Sequence, residues 1–235
     1  MRVAATADLH VHESSIGVCR ELLSDLSRRA DVLVICGDLT ERGLPAQAEL
    51  LAEELRTCTI PVLAVLGNHD HESGQVEAVR AILARAGVHW LDDQPYEIEG
   101  VGFAGAKGFA GGFGEYLLQP WGEEMTKRFV YEAIEEALRL EESLARLRTP
   151  RKVVALHYAP VRQTVEGEPP DLIPFLGTSR LAEPIDRFHA SLVFHGHAHY
   201  GCPHGETARG IPVYNVALPL LRRIQPEQPF LVLEI

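Results

Sequence analysis

LVFHGHAH, residues 192–199, sets an apolar run directly against three histidines at alternate positions, His195, His197 and His199. An uninterrupted apolar run reads as a strand buried on both faces, because a half-solvated strand would alternate. If the chain stays extended through residue 199, its side-chain period of two carries all three imidazoles to one side. A core has no use for such a row and a solvent face no need of it. Chemistry is therefore expected at the end of this strand.

Four more apolar runs break into polar clusters in the same way. Val3–Ala7 runs into DLH (8–10), Val32–Cys36 into GD (37–38), Val62–Leu66 into GNHD (67–70) and Val153–Leu156 into HYAP (157–160). Helical patterns lie between the first three, with Cys19, Leu22, Leu23 and Leu26, then Leu50, Leu51 and Leu55, at i, i+3, i+4 spacing. Buried strands alternating with helices predict βαβ units and a largely parallel sheet. Gly100, between Tyr96–Ile98 and Val101–Phe103, predicts a hairpin that opens a second half. Residues 123–148 predict a long amphipathic helix stopped by Pro150, and Val213–Val216 and Phe230–Leu233 the final strands.

The two halves look alike, which predicts an α/β fold of two mixed sheets packed face to face and flanked by helices. One domain over residues 1–235 is expected, with a lid or helical excursion at 102–150. Within it, GFAGAKGFAGGFGEY (102–116) reads as a mobile loop whose Phe109, Phe113 and Tyr116 could stack on a ring. Its glycines do not match a dinucleotide fingerprint. The acidic face of the long helix, Glu132, Glu135, Glu136 and Glu142, is expected in solvent, and Asp92–Asp93 in a turn.

The formal charge of −11 speaks against a broad basic surface for nucleic acid, and Lys107, Lys127 and Lys152 are too dispersed to build one. It does not exclude a phosphate substrate, because metal ions reverse the sign locally. No apolar run approaches the ~18 residues of a membrane span, and the first residues show no signal-peptide pattern, so a cytoplasmic location is expected. The four cysteines lack CxxC spacing and read as reduced thiols.

All five clusters fall at the carboxyl ends of predicted strands, where open α/β sheets place their ligands. Together they offer Asp8, His10, Asp38, Asn68, His157, His197 and His199, an oxygen and nitrogen set without sulfur that suits Mn, Fe, Zn, Co or Mg. Seven ligands are too many for one ion and about right for two sharing a carboxylate.

In this order the motifs resemble the calcineurin-like metallophosphoesterases, whose pattern is DxH, GD, GNH followed by D or E, a lone His after a strand, and GHxH. The resemblance spans residues 3–200 and is closest to small bacterial phosphodiesterases. It implies a four-layer α/β/β/α sandwich and two divalent metal ions. Asp8, His10 and His199 would hold one ion, Asn68, His157 and His197 the other, and Asp38 would bridge them. A metal-bridging hydroxide would attack phosphorus in line with the leaving group. His69 would meet the phosphate or protonate the leaving oxygen, with Asp70 fixing its orientation. Arg42, in GDLTERG, and His195 are weaker candidates for substrate contact.

The implied function is hydrolysis of a small, nucleotide-like phosphodiester. The alternatives are a phosphomonoesterase, including a phosphoprotein phosphatase, or a non-catalytic interaction module. Neither a membrane nor a nucleic acid is an expected partner, and assembly into a homo-oligomer is left open.

Overall fold

The computed structural model describes residues 1–15, 17–92 and 94–235, so Asp93 of the expected turn lies outside the described residues. In chain order the elements of the first half are β1 (Arg2–Thr6), α1 (Val18–Arg29), β2 (Val32–Cys36), α2 (Pro45–Leu55), β3 (Val62–Val65), α3 (Val76–Arg85) and β4 (Val88–Trp90). The second half holds β5 (Tyr96–Ile98), β6 (Val101–Ala106), α4 (Glu124–Arg146), β7 (Arg151–Leu156), α5 (Ala182–Arg187), β8 (Leu192–His195), β9 (His204–Glu206), β10 (Pro212–Asn215), α6 (Leu218–Ile224) and β11 (Leu231–Glu234).

Two mixed sheets result, ordered β11-β1-β2-β3-β4 and β5-β6-β7-β8-β10-β9. The first four strands run parallel, and β11 returns antiparallel to β1, pairing Arg2 with Glu234. In the second sheet β6, β7, β8 and β10 run parallel between antiparallel edges β5 and β9.

Strand alternation divides the core into layers. Val3, Ala5, Val32, Val34, Leu63 and Val65 face Val101, Phe103, Val153, Ala155, Leu192 and Phe194 across the sheet interface. The other faces of β1–β3, through Ala4, Leu33, Ile35 and Ala64, bury Leu23, Leu26, Leu51 and Leu83 of α1–α3. On the far side, Ala104, Val154, Leu156 and Val193 lie under Leu140 and Leu144 of α4 and Ile185 of α5. Burial on both faces is why these strands read as continuous apolar runs.

Two expectations need correction. Residues 102–106 are no lid: they belong to β6, fully buried, and a Cβ on Gly105 would collide with Val65 and Leu91 of the first sheet. Close sheet packing accounts for that part of the glycine-rich stretch, and loop begins only after Ala106. The acidic face of α4 is not wholly solvated either, since Glu136 is buried and accepts a hydrogen bond from the Gly108 amide at 2.7 Å.

Candidate metal centre

The strand ends converge between the sheets. The first sheet brings Asp8 and His10 after β1, Asp38 after β2, and Asn68, His69 and Asp70 after β3. The second brings His157 after β7, and His197 and His199 after β8. The segments after β1 and β2 continue to pair through bent backbone, with His10 N donating to Asp38 O at 3.0 Å and Val11 N to Leu39 O at 3.1 Å.

Among the described residues six non-glycines take a left-handed φ, and four are expected ligands: Asp8 (57°), His10 (46°), Asp38 (49°) and His197 (70°). Such a conformation costs about 1–3 kcal/mol and persists only where surrounding structure enforces it. It also corrects the opening expectation. The strand ends at His195, and His197 turns out of the extended path, so the three histidines do not share a face.

His195 lies inside, without accessible surface, its ring nitrogens 2.8 Å from Thr164 Oγ1 and Gly196 O. A substrate contact there is corrected to a buried hydrogen-bonded link between β8 and the Thr164 turn. Arg42 is exposed and lines an open cleft of about 400 Å³ with His12, Glu41 and Gln47, beside the ligand row.

The ligand atoms form three overlapping groups, Asp8–His10–His199, His10–Asp38–His69 and Asp38–His157–His197, each within 4.8 Å of one another. Asn68 joins the last, its Oδ1 2.8 Å from His157 Nε2. Asp38 belongs to two groups. The motif glycines make room for these approaches: a Cβ on Gly67 would strike the Asp38 carboxylate, and one on Gly196 would strike Asp8.

The chemistry of these donors fits a divalent cation. His157 Nδ1 lies 3.0 Å from Cys36 O, which places its proton there, and burial first, then His197, pushes this imidazole well below its ordinary pKa. The lone pair left on Nε2 then faces the Asn68 Oδ1 acceptor at 2.8 Å, with Asp38 Oδ2 3.4 Å away. His10 Nε2 is buried without a hydrogen-bond partner among the described residues, 4.0 Å from Asp8 Oδ1 and 3.8 Å from Asp38 Oδ2. Lone pairs that converge without a donor are what a cation satisfies.

The carboxylates behave unequally. Burial, then the charges of Asp8 and Asp70, push Asp38 up to about 9. Burial opposes ionisation of Asp8 too, yet the hydrogen bond from His199 and the nearby imidazoles outweigh it and hold Asp8 at about 2. Cations placed beside Asp38 would favour its ionised form.

Asp70 does not orient His69. Its carboxylate accepts from the amides of Leu39 (3.2 Å), Thr40 (2.9 Å) and Gly67 (2.9 Å) and from Thr40 Oγ1 (2.7 Å), so it ties the GD loop to the GNHD loop. A carboxylate can satisfy that many donors, and so close to its own backbone it prefers them. His69 is instead set by Glu41, whose carbonyl lies 2.7 Å from Nδ1, while the His69 amide donates to Asp38 Oδ1 at 2.8 Å. The Glu41 carboxylate stands 3.2 Å from His10 Nδ1. Sequence reading stopped at Arg42 and passed over its neighbour, although GDLTERG carried the signal. His197 has a backbone partner of its own, Phe175 O, at 3.4 Å.

The family model of the calcineurin-like phosphoesterases matches residues 1–201. No curated protein matches the sequence. Among solved structures, the phosphopantetheinyl hydrolase of Mycobacterium tuberculosis is similar at TM-score 0.71 and 17% identity, over 98% of this chain and 95% of its own. Purple acid phosphatase PPD1 of yellow lupin (Lupinus luteus) is similar at TM-score 0.59 and 13% identity, over 94% of this chain and 44% of its own. GAP50, described as the anchor in the inner membrane complex of Plasmodium, is similar at TM-score 0.55 and 12% identity, over 93% of this chain and 72% of its own. At these identities the likeness is one of fold, and a fold that carries hydrolases and an anchor leaves function to the site. No helix among the described residues is long and apolar enough to cross a membrane.

Proposed function

The chain belongs to the calcineurin-like phosphoesterase family, and from that premise we propose that it hydrolyses small phosphodiesters at a pair of divalent cations. The observation that carries this reading is the chain of ligand groups, the first two sharing His10 and the last two sharing Asp38, together with the unpartnered ring nitrogens of His10. Asp8, His10 and His199 would hold one ion, and Asn68, His157 and His197 the other, with Asp38 common to both. When bound, such ions supply an acidified water and neutralise phosphate charge.

The protein's own residues do the rest. Cys36 O and Phe175 O hold His157 and His197 in place through one ring nitrogen each, and the Glu41 carboxylate lies 3.2 Å from His10 Nδ1 without a hydrogen bond. His69, anchored at Nδ1 by the Glu41 carbonyl, keeps Nε2 for a phosphate oxygen or the leaving oxygen. Asp70 keeps the two loops in register.

Two dications balanced by Asp8, Asp38 and a hydroxide leave about +1, a field that attracts a phosphate ester. The choice of a diester rests on the likeness of the motifs to those of small phosphodiesterases of the family. Every position of the ligand pattern is filled by the expected residue type, which speaks against a non-catalytic module.

The test is metal analysis of the purified protein with turnover of bis-p-nitrophenyl phosphate and p-nitrophenyl phosphate in manganese. The expected result is about two ions per chain and a higher kcat/KM on the diester. Metal binding with turnover of the monoester alone would overturn the diester assignment, and no metal with no turnover would overturn the enzyme.

A further inference from the structure

A line of rings leads from the metal centre to the surface. Tyr158 lies 4.5 Å from the His197 ring, Phe109 5.9 Å from Tyr158, Phe129 5.0 Å from Phe109 and Phe175 6.3 Å from Phe129, all between centroids. Its inner end is buried, with Tyr158 7% exposed, and its outer end is open, with Phe175 55% exposed. Met125, one turn before Phe129 on α4, is 73% exposed and widens the apolar mouth. Lys107 Nζ sits 5.0 Å from the Phe109 ring and 5.4 Å from Tyr158. A cation over ring faces stiffens such a wall.

Phe175 joins this wall to the centre directly, since its carbonyl meets His197 while its ring stays open to solvent. Residues that hold a ligand in place have no packing reason to leave an aromatic ring uncovered, and an apolar patch that adjoins a reactive centre marks a binding surface. The wall stands at the His197 end of the ligand row. His69 stands instead against His10 and Asp38, its ring centroid 4.6 Å from that of His10, and a leaving oxygen would take its proton there.

We infer that Phe109, Phe129 and Phe175, backed by the buried Tyr158, form a subsite for a planar aromatic group carried on the retained ester of the substrate, a substrate class that rests on the phosphodiesterase reading. Ring stacking selects such a group without hydrogen-bond readout, as in the binding of bases by aromatic side chains. Glycerol-type or short alkyl esters would leave the wall wet and gain nothing from it.

Phenyl p-nitrophenyl phosphate and methyl p-nitrophenyl phosphate share a leaving group and differ only in the retained ester. With manganese, wild-type protein is expected to prefer the phenyl diester. Phe129→Ala, at a ring that touches no metal ligand, should cut kcat/KM for the phenyl diester about 3- to 10-fold, with metal content and the methyl diester unchanged. Phe129→Tyr should restore the preference. Equal loss on both substrates, or none on either, overturns the subsite while leaving the enzyme in place.

Should neither diester be turned over, the functional reading fails by itself and binding decides the subsite. Titration of manganese-loaded protein is then expected to favour phenylphosphonate over methylphosphonate, and the preference should vanish in Phe129→Ala. Equal affinities in wild type would overturn it.

Discussion

The two sheets bring different chemistry to the same place. The first delivers both ligand carboxylates, the amide and His10, whereas the second delivers imidazoles alone: His157, His197 and His199. Among the expected ligands the left-handed backbone falls on Asp8, His10 and Asp38 of the first sheet and on His197 of the second. The lesson is a division of labour. Shared anionic ligands stand on one strained, densely hydrogen-bonded rim, and imidazoles stand on the other, His157 and His197 each against a backbone carbonyl and His199 against the Asp8 carboxylate.

The largest effect should come from breaking the shared ligand. Asp38→Asn is expected to remove both ions and lower turnover at least ~10³-fold, while His197→Ala, on the imidazole rim, should lose one ion and keep the other. Metal analysis compares the two, and equal losses would erase the distinction between rims. Next, His69→Ala should keep the metal content and lower kcat by ~10²–10⁴. Steady-state kinetics beside metal analysis checks this, and unchanged kcat would take His69 out of the reaction.

Asp70→Asn sharpens the picture of the first rim. It should lower Tm by about 5–10 °C, because the buried carboxylate serves three amides and a hydroxyl, and leave the shape of the pH–rate profile alone. A lost limb of that profile at unchanged Tm would return Asp70 to His69.

The smallest effect concerns the second rim without metal. Burial first of all holds both His195 and His197 at about 4, below the ordinary 6.5. The unfolded chain therefore binds protons sooner, and stability present above about 6.5 drains away as pH falls toward 4. Asp38, held up at about 9, works the other way, so metal-free protein should melt only a few degrees lower at pH 5 than at pH 7. An equal Tm at pH 5 and 7 would contradict it.

Much of this was legible in the sequence, for physical reasons. Strands buried on both faces leave unbroken apolar runs, and motifs at their ends survive as short local words such as GNHD. Contacts that depend on distant partners left no local mark. The antiparallel return of β11 onto β1 joins the two ends of the chain. The donors to Asp70 from Leu39 and Thr40 come from about 30 positions away. The alternation of His195, His197 and His199 looked like one strand face, because a left-handed φ at His197 has no signature in a non-glycine residue. Glycines in β6 looked like a loop, although they are small for the sake of the facing sheet.

The central claim is that Asp38 stands between two cations. Anomalous diffraction from manganese-loaded crystals tests it most directly. Two peaks are expected about 3.5–4 Å apart, one against Asp8, His10 and His199, the other against Asn68, His157 and His197, with an Asp38 oxygen reaching each. A single peak, or two with Asp38 bound to neither or only one, would contradict it.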